Sequence, residues 1–378
     1  MRQMIVNALI TEYNPFHNGH IYHINESKKL TNPDVTIAIM SGQFTQRGEI
    51  AITDKFTRAA EVIKHVDLVV ELPLYYAISY ADDFGRGAVK IADMIGATHI
   101  VFGSESGEIS YLRNVQHALQ SDKTEANIAR LMKEGLTYPR AVSQALGDDV
   151  LSSNNILGLA YMKAIQSIAA HITPLTITRR GNAYNDQTLS EHQYSSATSI
   201  RQSILSNDAD KVRQFMPESL LKHITRPVDN NHLFKILKTI ILTHTPDTLR
   251  TIYTMDEGIE HRLIAHIRQA QSYEAYLHTI KTKRYTRTRL NRLMLYILFN
   301  ITREKFKAYT MPDAVRVLAM NKVGQAYLSK IKSEVDIVTN MNQKNSHKFR
   351  NEIMATDIYN TISGQTKHDF NTPVIVHN

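Results

Sequence analysis

The sequence predicts an α/β fold, with a parallel sheet covered by helices on both faces, followed by a mainly α-helical region. Through the first 200 of the 378 residues, short apolar runs typical of buried strands alternate with helical periodicity. That succession is expected of right-handed β-α-β crossovers. Beyond residue 200 the strand pattern fades and amphipathic helical stretches dominate. The length suits two domains, which we place at residues 1–200 and 201–378.

The individual elements follow from the same patterns. Strands are predicted at residues 5–10, 35–40, 66–72, 98–102 and 175–178. Helices are predicted at residues 21–30, 55–64, 77–94, through most of 109–146, and after the polar stretches at 152–155 and 195–199. In the second half helices are predicted at 233–242, 259–270, 273–280 and 290–301. The polar tail from residue 340 is predicted to be loosely packed, with a short edge strand at 374–376.

Composition excludes several classes of protein. The chain has no cysteine, so no disulfide can form, which fits a reducing cytoplasm. Its N-terminus lacks the pattern of a secretory signal, and no run of about 18 apolar residues exists. We therefore expect a cytoplasmic protein with no membrane span. The sequence predicts no particular oligomeric state.

Charge divides unevenly between the halves. Residues 1–200 hold 17 basic and 20 acidic residues, a net charge of −3. Residues 201–378 therefore carry a net charge of +11 within the total of +8. The first half resembles an ordinary enzyme domain, and the second half suits a polyanion such as nucleic acid. A basic helical domain that is merely soluble is the alternative.

The most informative stretch lies between the first strand and the first helix, at residues 12–20. It places His17, Gly19 and His20 at a strand-to-helix junction, where the first helical amides favour phosphate. Gly19 would let a ligand approach the backbone, and the two histidines lie three residues apart, on one side of the first turn. Two imidazoles and a row of amides can stabilise negative charge during attack on the α-phosphate of a nucleotide.

Two other readings of the histidine pair remain open at this point. His17 and His20 are also consistent with a helix cap and a surface histidine. A metal pair is less favoured, because a catalytic zinc usually has a third protein ligand.

Further polar residues follow the later strands. Gln46, Arg47 and Lys55 follow the second strand, at the edge where open α/β sheets bind ligands, and solvated loop residues are an equal alternative. Gly103 ends the fourth strand and would let a base or ribose approach the backbone. A plain turn glycine explains Gly103 as well.

Asparagines and arginines supply the next candidates. Asn154 and Asn155 precede an apolar helix, where one can cap it and the other would remain for a ligand. Arg179 and Arg180 follow the fifth strand and could clamp phosphate or carboxylate, or be a solvated basic pair.

A second anion site is predicted at the helix that starts near residue 196. Hydroxyl groups of Ser196 and Thr198 lie at its start, and Arg201 lies in its first turns. An ordinary N-cap is the alternative.

A dense basic segment begins at Lys281. Between Lys281 and Lys307 there are nine basic residues and one acid, which predicts a surface that follows nucleic-acid phosphates. Tyr285 could stack on a base or lie in the core. A basic helix cap with solvated arginines is the alternative. The candidate contacts are Lys281, Lys283, Arg284, Arg287, Arg289 and Arg292.

These motifs resemble those of a known family. His17-Asn18-Gly19-His20 after a strand resembles the HxGH signature of the nucleotidylyltransferase superfamily, and residues 196–201 resemble its C-terminal motif of Ser/Thr followed by Ile-Arg. The longer stretch at 12–20 resembles the tRNA(Met) cytidine acetate ligase family. The resemblance extends from residue 12 to the basic segment near residue 292. One departure is that this chain reads Tyr184-Asn185-Asp186 where the family often has histidine before the aspartate.

The resemblance implies a Rossmann-like nucleotidylyltransferase domain followed by a tRNA-binding domain. It also implies a reaction: acetate attacks ATP to give acetyl-adenylate, and the wobble cytidine of elongator tRNA(Met) then takes the acetyl group. Magnesium is expected with ATP. His17, His20 and Arg201 are the implied catalytic residues. The implied ATP-binding residues are Ile10, Thr11, Glu12, Tyr13, Asn14, Pro15, Phe16, Asn18, Gly19, His23, Gly103, Asn154, Asn155, Arg179, Arg180, Ser196 and Thr198.

Two alternatives from other classes remain. A small-molecule adenylyltransferase of cofactor synthesis would use the first half equally well, but has little need of a second half with net charge +11. The second alternative is a non-catalytic RNA-binding protein. The presence of both histidines, the arginines and the stretch at 195–201 together argues against it, because such a protein would not need them.

Overall fold

The computed structural model describes residues 4–136, 138–147, 150, 152–178, 194–256 and 258–378. The strands are β1 (Val6–Thr11), β2 (Val35–Ser41), β3 (Leu68–Leu72), β4 (His99–Ser104), β5 (Thr173–Thr178), β6 (Ala314–Asn321), β7 (Asp336–Val338) and β8 (Ile375–His377). The helices of the first half are α1 (Asn18–Thr31), α2 (Lys55–Val62), α3 (Leu74–Ala77), α4 (Ala81–Met94), α5 (Ile109–Leu119), α6 (Asp122–Lys133), α7 (Tyr138–Leu146), α8 (Ser153–Ile168) and α9 (Ala197–Leu205). Those of the second half are α10 (Glu218–His223), α11 (Asn230–Thr243), α12 (Pro246–Arg250), α13 (Ile259–Ile267), α14 (Tyr273–Ile280), α15 (Arg287–Leu298), α16 (Arg303–Ala308), α17 (Lys322–Ile331) and α18 (Arg350–Ser363). Short 3-10 helices lie at Ala209–Val212 and Ser346–Phe349.

One mixed, mostly parallel sheet organises these elements. Its strand order is β5-β4-β1-β2-β3-β6-β7, and β8 pairs with β6 on the side away from β3. The five strands from the first half pair in parallel, so their carboxyl ends meet at one edge. The predicted β-α-β succession is therefore confirmed, and ligands are expected at that edge.

Both faces of the sheet are buried at its centre, which explains why β1, β2 and β3 are largely apolar runs rather than alternating ones. Successive residues of β1 point to opposite faces, so Ala8 joins one core and Leu9 the other. On the first face α4 and α8 cover the sheet. On the second face α1, α2 and α9 contribute Ile24, Phe56 and Ile200.

The second half has a helical core of its own, as predicted. Helices α11, α13, α14 and α15 bury apolar residues such as Leu233, Leu263 and Leu293 in one cluster. Phe44 and Tyr75 from the first half complete this cluster. The helical half therefore packs directly against the loops that follow β2 and β3.

Two expectations about the second half are wrong. Strand β6 was not predicted, yet it lies antiparallel to β3 and extends the sheet. The tail is not loosely packed, because α18 buries Glu352 and Tyr359, and Asp369 beyond it is 1% exposed. The expected edge strand near residue 375 is confirmed as β8. A boundary near residue 200 stays a prediction, since the sheet takes strands from both sides of it.

The predicted helix at 77–94 begins later, at Ala81 of α4, because the chain turns at Ser79 and Tyr80 after the short helix α3. Among the described residues, we find no helix with the length and hydropathy needed to span a bilayer.

Candidate functional site

The site is built around the loop that joins β1 to α1. His17 is the N-cap of α1, and its Nδ1 accepts a hydrogen bond from the Gly19 amide at 3.1 Å. In return, Nδ1 of His20 accepts from the His17 amide at 3.3 Å. The ring centroids lie 3.8 Å apart. The histidines are thus a reciprocal capping box, and the same geometry sets the two imidazoles side by side.

This cap determines the tautomer of both rings. A ring nitrogen that accepts a hydrogen bond carries no proton, so each neutral imidazole holds its proton on Nε2. His17 and His20 therefore each carry an Nε2–H donor. Aromatic rings hold His20 in place, since Tyr13 lies 4.8 Å and Phe16 5.9 Å from its centroid.

Gly19 is needed for a reason that its sequence position did not reveal. A Cβ there would lie 2.8 Å from Cε1 of His17, so a larger residue would push the capping ring aside. The sequence predicted a row of open amides in the first turn, but two of these amides already have hydrogen-bond partners within the protein. The Asn18 amide donates to the Phe215 carbonyl at 2.8 Å, and the Gly19 amide is held by His17. The imidazoles, rather than the amides of Asn18 and Gly19, are the donors that this turn presents.

The rest of the loop is fixed from several directions. The Glu12 carbonyl accepts from Nη1 of Arg58 at 2.7 Å, and its carboxylate accepts from the Gln46 amide at 2.6 Å. Burial raises the pKa of the Glu12 carboxyl, and the charge of Arg47 opposes that shift. Asn14 accepts from the Ile52 amide at 2.8 Å through its side chain and is joined to Pro15 by a cis peptide bond.

The predicted second anion site lies against this loop. Ser196 caps α9 by accepting from the Ser199 amide at 3.0 Å. One turn later Arg201 reaches the loop, where its Nη1 donates to the Asn14 carbonyl at 2.7 Å. Its Nη2 contacts the Glu49 carboxylate at 2.9 Å and the Thr198 hydroxyl at 3.4 Å. The structure therefore brings Arg201 to the histidine loop. Its guanidinium is already paired with the Glu49 carboxylate there.

The asparagines do not cap α8 as expected. Ser152 is the N-cap residue, and the Asn154 amide donates to the Glu105 carboxylate at 2.6 Å. Asn155 is 2% exposed and donates to the Val150 carbonyl. Its Oδ1 finds no hydrogen-bond partner within the part of the chain that the structure describes. Asn155 therefore has the unsatisfied polar atom, while Asn154 is already engaged.

The remaining predicted contacts of the first half divide into three groups. Gly103 lies at the carboxyl end of β4, paired with β5, and is half-buried. Arg179 and Arg180 lie outside the described residues. Lys55 is not a loop contact, because it is fully buried and its Nζ lies 2.8 Å from Glu71 and 3.0 Å from Asp369. It belongs to a structural ion cluster beneath the site.

Other ATP-site predictions fall on the same strand and helix. Ile10 and Thr11 end β1, and the Thr11 hydroxyl donates to the Ile39 carbonyl at 3.3 Å. His23 is half-buried on α1, one turn beyond His20. Their role as ATP contacts stays a prediction.

The basic segment is only partly a charged surface. Lys281, Lys283 and Arg284 are exposed. Arg287 donates two hydrogen bonds to the Glu274 carboxylate, from Nη1 at 2.6 Å and from Nη2 at 2.5 Å. Arg289 lies over the Tyr285 ring, 3.9 Å from its centroid.

The structure buries the side chain of Arg292, a predicted tRNA contact, and that of Tyr285, which was expected either to stack on a base or to lie in the core. Arg292 is 7% exposed, lies 4.1 Å over the Tyr80 ring and donates to the Gln46 carbonyl at 3.2 Å. Tyr285 is 2% exposed, and its hydroxyl donates to the Asp256 carbonyl. Neither presents its polar group to a macromolecule.

One positioning residue escaped the sequence analysis. Arg58 is fully buried and donates to the carbonyls of Glu12, Ser41, Gly42 and Thr53. Burial lowers its pKa to about 10. It ties together the carboxyl ends of β1 and β2. No signal in the sequence singles it out, since Lys55 and Glu61, three residues away on either side, are charged as well.

Comparisons with known proteins agree with this geometry. The family model described as HIGH Nucleotidyl Transferase matches residues 4–372. The tRNA(Met) cytidine acetate ligase of Staphylococcus saprophyticus is 46% identical, covering 97% of this chain and 98% of the relative, and that of Staphylococcus aureus is 45% identical with the same coverage.

Solved structures give the same result. Apo TmcAL of Thermotoga maritima is 31% identical, covers 99% of each chain and superposes with a TM-score of 0.91. The same protein bound with alpha-thio ATP superposes with a TM-score of 0.89. On its motifs, fold and full-length similarity, the chain belongs to the tRNA(Met) cytidine acetate ligase family of HIGH nucleotidyl transferases.

Proposed function

We propose that this chain is an ATP-dependent ligase that acetylates the N4 amine of the wobble cytidine in elongator tRNA(Met). The similarity to the family supports the overall reaction. The paired imidazoles of His17 and His20 are the observation that supports the proposed first step. Their two Nε2–H donors lie side by side at the carboxyl edge of a parallel sheet, where a nucleotide phosphate is expected.

The first step forms acetyl-adenylate. A carboxylate oxygen of acetate attacks the α-phosphorus of ATP, the bond to the bridging oxygen breaks, and pyrophosphate leaves. Negative charge increases on the phosphoryl oxygens during this step. His17 and His20 donate hydrogen bonds to that charge, and Arg201 supports the leaving group once a phosphate replaces Glu49 on its guanidinium.

Other residues hold the nucleotide. Gly103 would admit the base or ribose, and the unsatisfied Oδ1 of buried Asn155 would accept a hydrogen bond from it. Asn154 would line the same edge while bound to Glu105. Arg179 and Arg180, by resemblance, would hold a phosphate.

Magnesium enters with the nucleotide in this proposal. No cluster of three or more metal-binding side chains occurs among the residues that the structure describes. The ion would therefore be held chiefly by phosphate oxygens and water, where it neutralises charge on the leaving pyrophosphate.

The second step transfers the acetyl group. The N4 amine of cytidine attacks the acetyl carbonyl, the carbon–oxygen bond to the adenylate breaks, AMP leaves and the amine loses a proton. A single-stranded anticodon loop presents an unpaired base for this attack. Residues 201–378, through exposed Lys281, Lys283 and Arg284, would bind the tRNA backbone in the cytoplasm.

Acetate-dependent exchange of labelled pyrophosphate into ATP, without tRNA, tests the first step. We expect exchange with acetate and much less with propionate or other carboxylates. Exchange that requires a phosphate ester or mononucleotide instead would indicate a small-molecule adenylyltransferase. Tight tRNA binding with no exchange at all would indicate a non-catalytic RNA-binding protein.

A further inference from the structure

The loop after β2 contacts both the histidine site and the helical half. We call residues 42–53 the connecting loop. Toward the histidine site, the amide of Gln46 donates to the Glu12 carboxylate at 2.6 Å, and Glu49 pairs with Arg201 at 2.9 Å. The connecting loop therefore contributes directly to the geometry around the histidines.

On its other side the connecting loop is fitted to α15. Gly48 has φ of +73°, and a Cβ there would lie 2.3 Å from the backbone nitrogen of Arg292, so only glycine fits. Phe44 packs edge-on against Phe299 with centroids 4.9 Å apart. The helix that carries the basic segment and the loop that borders the histidine site thus lie in backbone contact.

Arg292 makes the polar link between them. Its guanidinium lies over the Tyr80 ring, 4.1 Å from the ring centroid, and its Nη1 donates to the Gln46 carbonyl at 3.2 Å. Gln46 is therefore held by both its peptide groups, the carbonyl by Arg292 and the amide by Glu12. A buried guanidinium in this position cannot track a phosphate backbone.

We propose that Arg292 is a positioning residue for the ATP site, acting through Gln46 on Glu12, and that it is not a tRNA contact. This inference rests on the proposed use of ATP. It assigns a role in the first half-reaction to a residue of the basic helix. Two other roles for Arg292 are tested against this one: a contact to a tRNA phosphate, and a buried arginine that only stabilises the fold.

Arg292→Lys tests the inference, because lysine keeps the charge but lacks the planar fork that spans Tyr80 and Gln46. We expect the Kd for ATP, measured by calorimetry without acetate or tRNA, to rise about tenfold, the scale of one hydrogen bond to a charged group. The Kd for tRNA and its salt dependence should be unchanged. Weaker tRNA binding with a salt slope reduced by about one, and unaltered ATP binding, would overturn the inference.

A double-mutant cycle separates positioning from general loss of structure. If Arg292 acts through Gln46 on Glu12, the effects of Arg292→Lys and Glu12→Gln on ATP affinity will be less than additive. Additive effects would contradict the proposed route. Arg316→Lys is the matched control, since Arg316 is another buried arginine, 2% exposed, that donates to the Thr339 carbonyl rather than to the connecting loop. It should lower stability and leave the Kd for ATP unchanged.

A milder variant covers the case in which Arg292→Lys does not fold. Tyr80→Leu removes the ring beneath the guanidinium and keeps Arg292, and it should weaken ATP binding with no effect on tRNA binding. Unchanged ATP binding in that variant would count against the inference. Wild-type protein that binds ATP but transfers no acetyl group would refute the proposed function alone, since ATP affinity still decides the role of Arg292.

Discussion

At His17, helix capping and phosphate binding depend on one side chain. Nδ1 accepts from the Gly19 amide, and Nε2–H is the donor that we propose for a phosphate. The sequence presented these as competing interpretations, whereas the structure shows the cap, and a phosphate contact through the other nitrogen of the same ring is compatible with it. The role of Gly19 could not be predicted, because it depends on where the ring of His17 lies.

Substitutions at His17 should separate the two roles. His17→Ala removes both, so we expect a loss of about 1 kcal/mol of stability and a fall in exchange rate of at least about 100-fold. His17→Asn keeps a capping acceptor, but its shorter side chain does not carry an N–H donor to the position of Nε2. It should recover stability in thermal unfolding without recovering exchange. Recovery of exchange by His17→Asn would show that only the cap matters.

At the scale of elements, the central strands of the first half were predictable because both faces of the sheet are buried there and the runs are largely apolar, and the edge strand β5 was predictable because it alternates. Strand β6 was missed because Arg316 interrupts its apolar pattern, and the arginine is buried beside Asp369. The tail was missed for a related reason. Its polar residues looked solvated, yet Asp369 pairs inside the protein with Lys55, more than 300 positions away in the sequence.

Asp369→Ala tests how firmly the tail is held. The substitution leaves Lys55 buried with Glu71 as its remaining carboxylate, so we expect a loss of about 3 kcal/mol in urea unfolding. The neighbouring Phe370→Ala is the matched control, because that ring is 50% exposed and its loss should have little effect. Equal effects of the two substitutions would show that the ion cluster does not secure the tail.

Glu352 on helix α18 should make the stability of the fold depend on pH. Burial, followed by the nearby charge of Glu71, raises the pKa of Glu352 to about 7 in the folded protein. Because the folded state binds this proton more tightly than the unfolded state, Glu352 destabilises the fold increasingly as pH rises from about 4.5 to 7. The penalty is then complete above pH 7 and is at most about 3 kcal/mol.

Glu352→Gln should remove that penalty while keeping the oxygen that accepts from the Leu74 amide. We expect the variant to gain more stability over wild type at pH 8 than at pH 5, in urea unfolding at both values. The same difference at both pH values would mean that Glu352 does not titrate in this range.

At the scale of the whole molecule, the charge asymmetry between the halves was visible in the sequence, but its distribution was not. The basic segment divides into exposed residues that suit tRNA and buried residues such as Arg292 that secure the helix against the connecting loop. Sequence spacing could not separate these groups, because burial depends on how α15 packs against the first half.

The exposed group yields a prediction for tRNA binding. Replacing Lys281, Lys283 and Arg284 together by alanine should weaken tRNA binding and reduce its salt slope by about two to three. Acetate-dependent exchange should persist. The control is alanine at the exposed residues Lys330, Lys332 and Lys344, which removes the same charge elsewhere. Loss of exchange together with tRNA binding, or equal weakening by the control, would contradict the proposed surface.

The most direct test of the account is the fate of labelled acetate. The purified protein would be incubated with ATP, labelled acetate and bulk bacterial tRNA, and the tRNA then digested for nucleoside analysis. We expect label in N4-acetylcytidine, together with release of AMP and pyrophosphate. Pyrophosphate release with no label in cytidine would contradict the central claim, because it would assign the acetyl group a different acceptor.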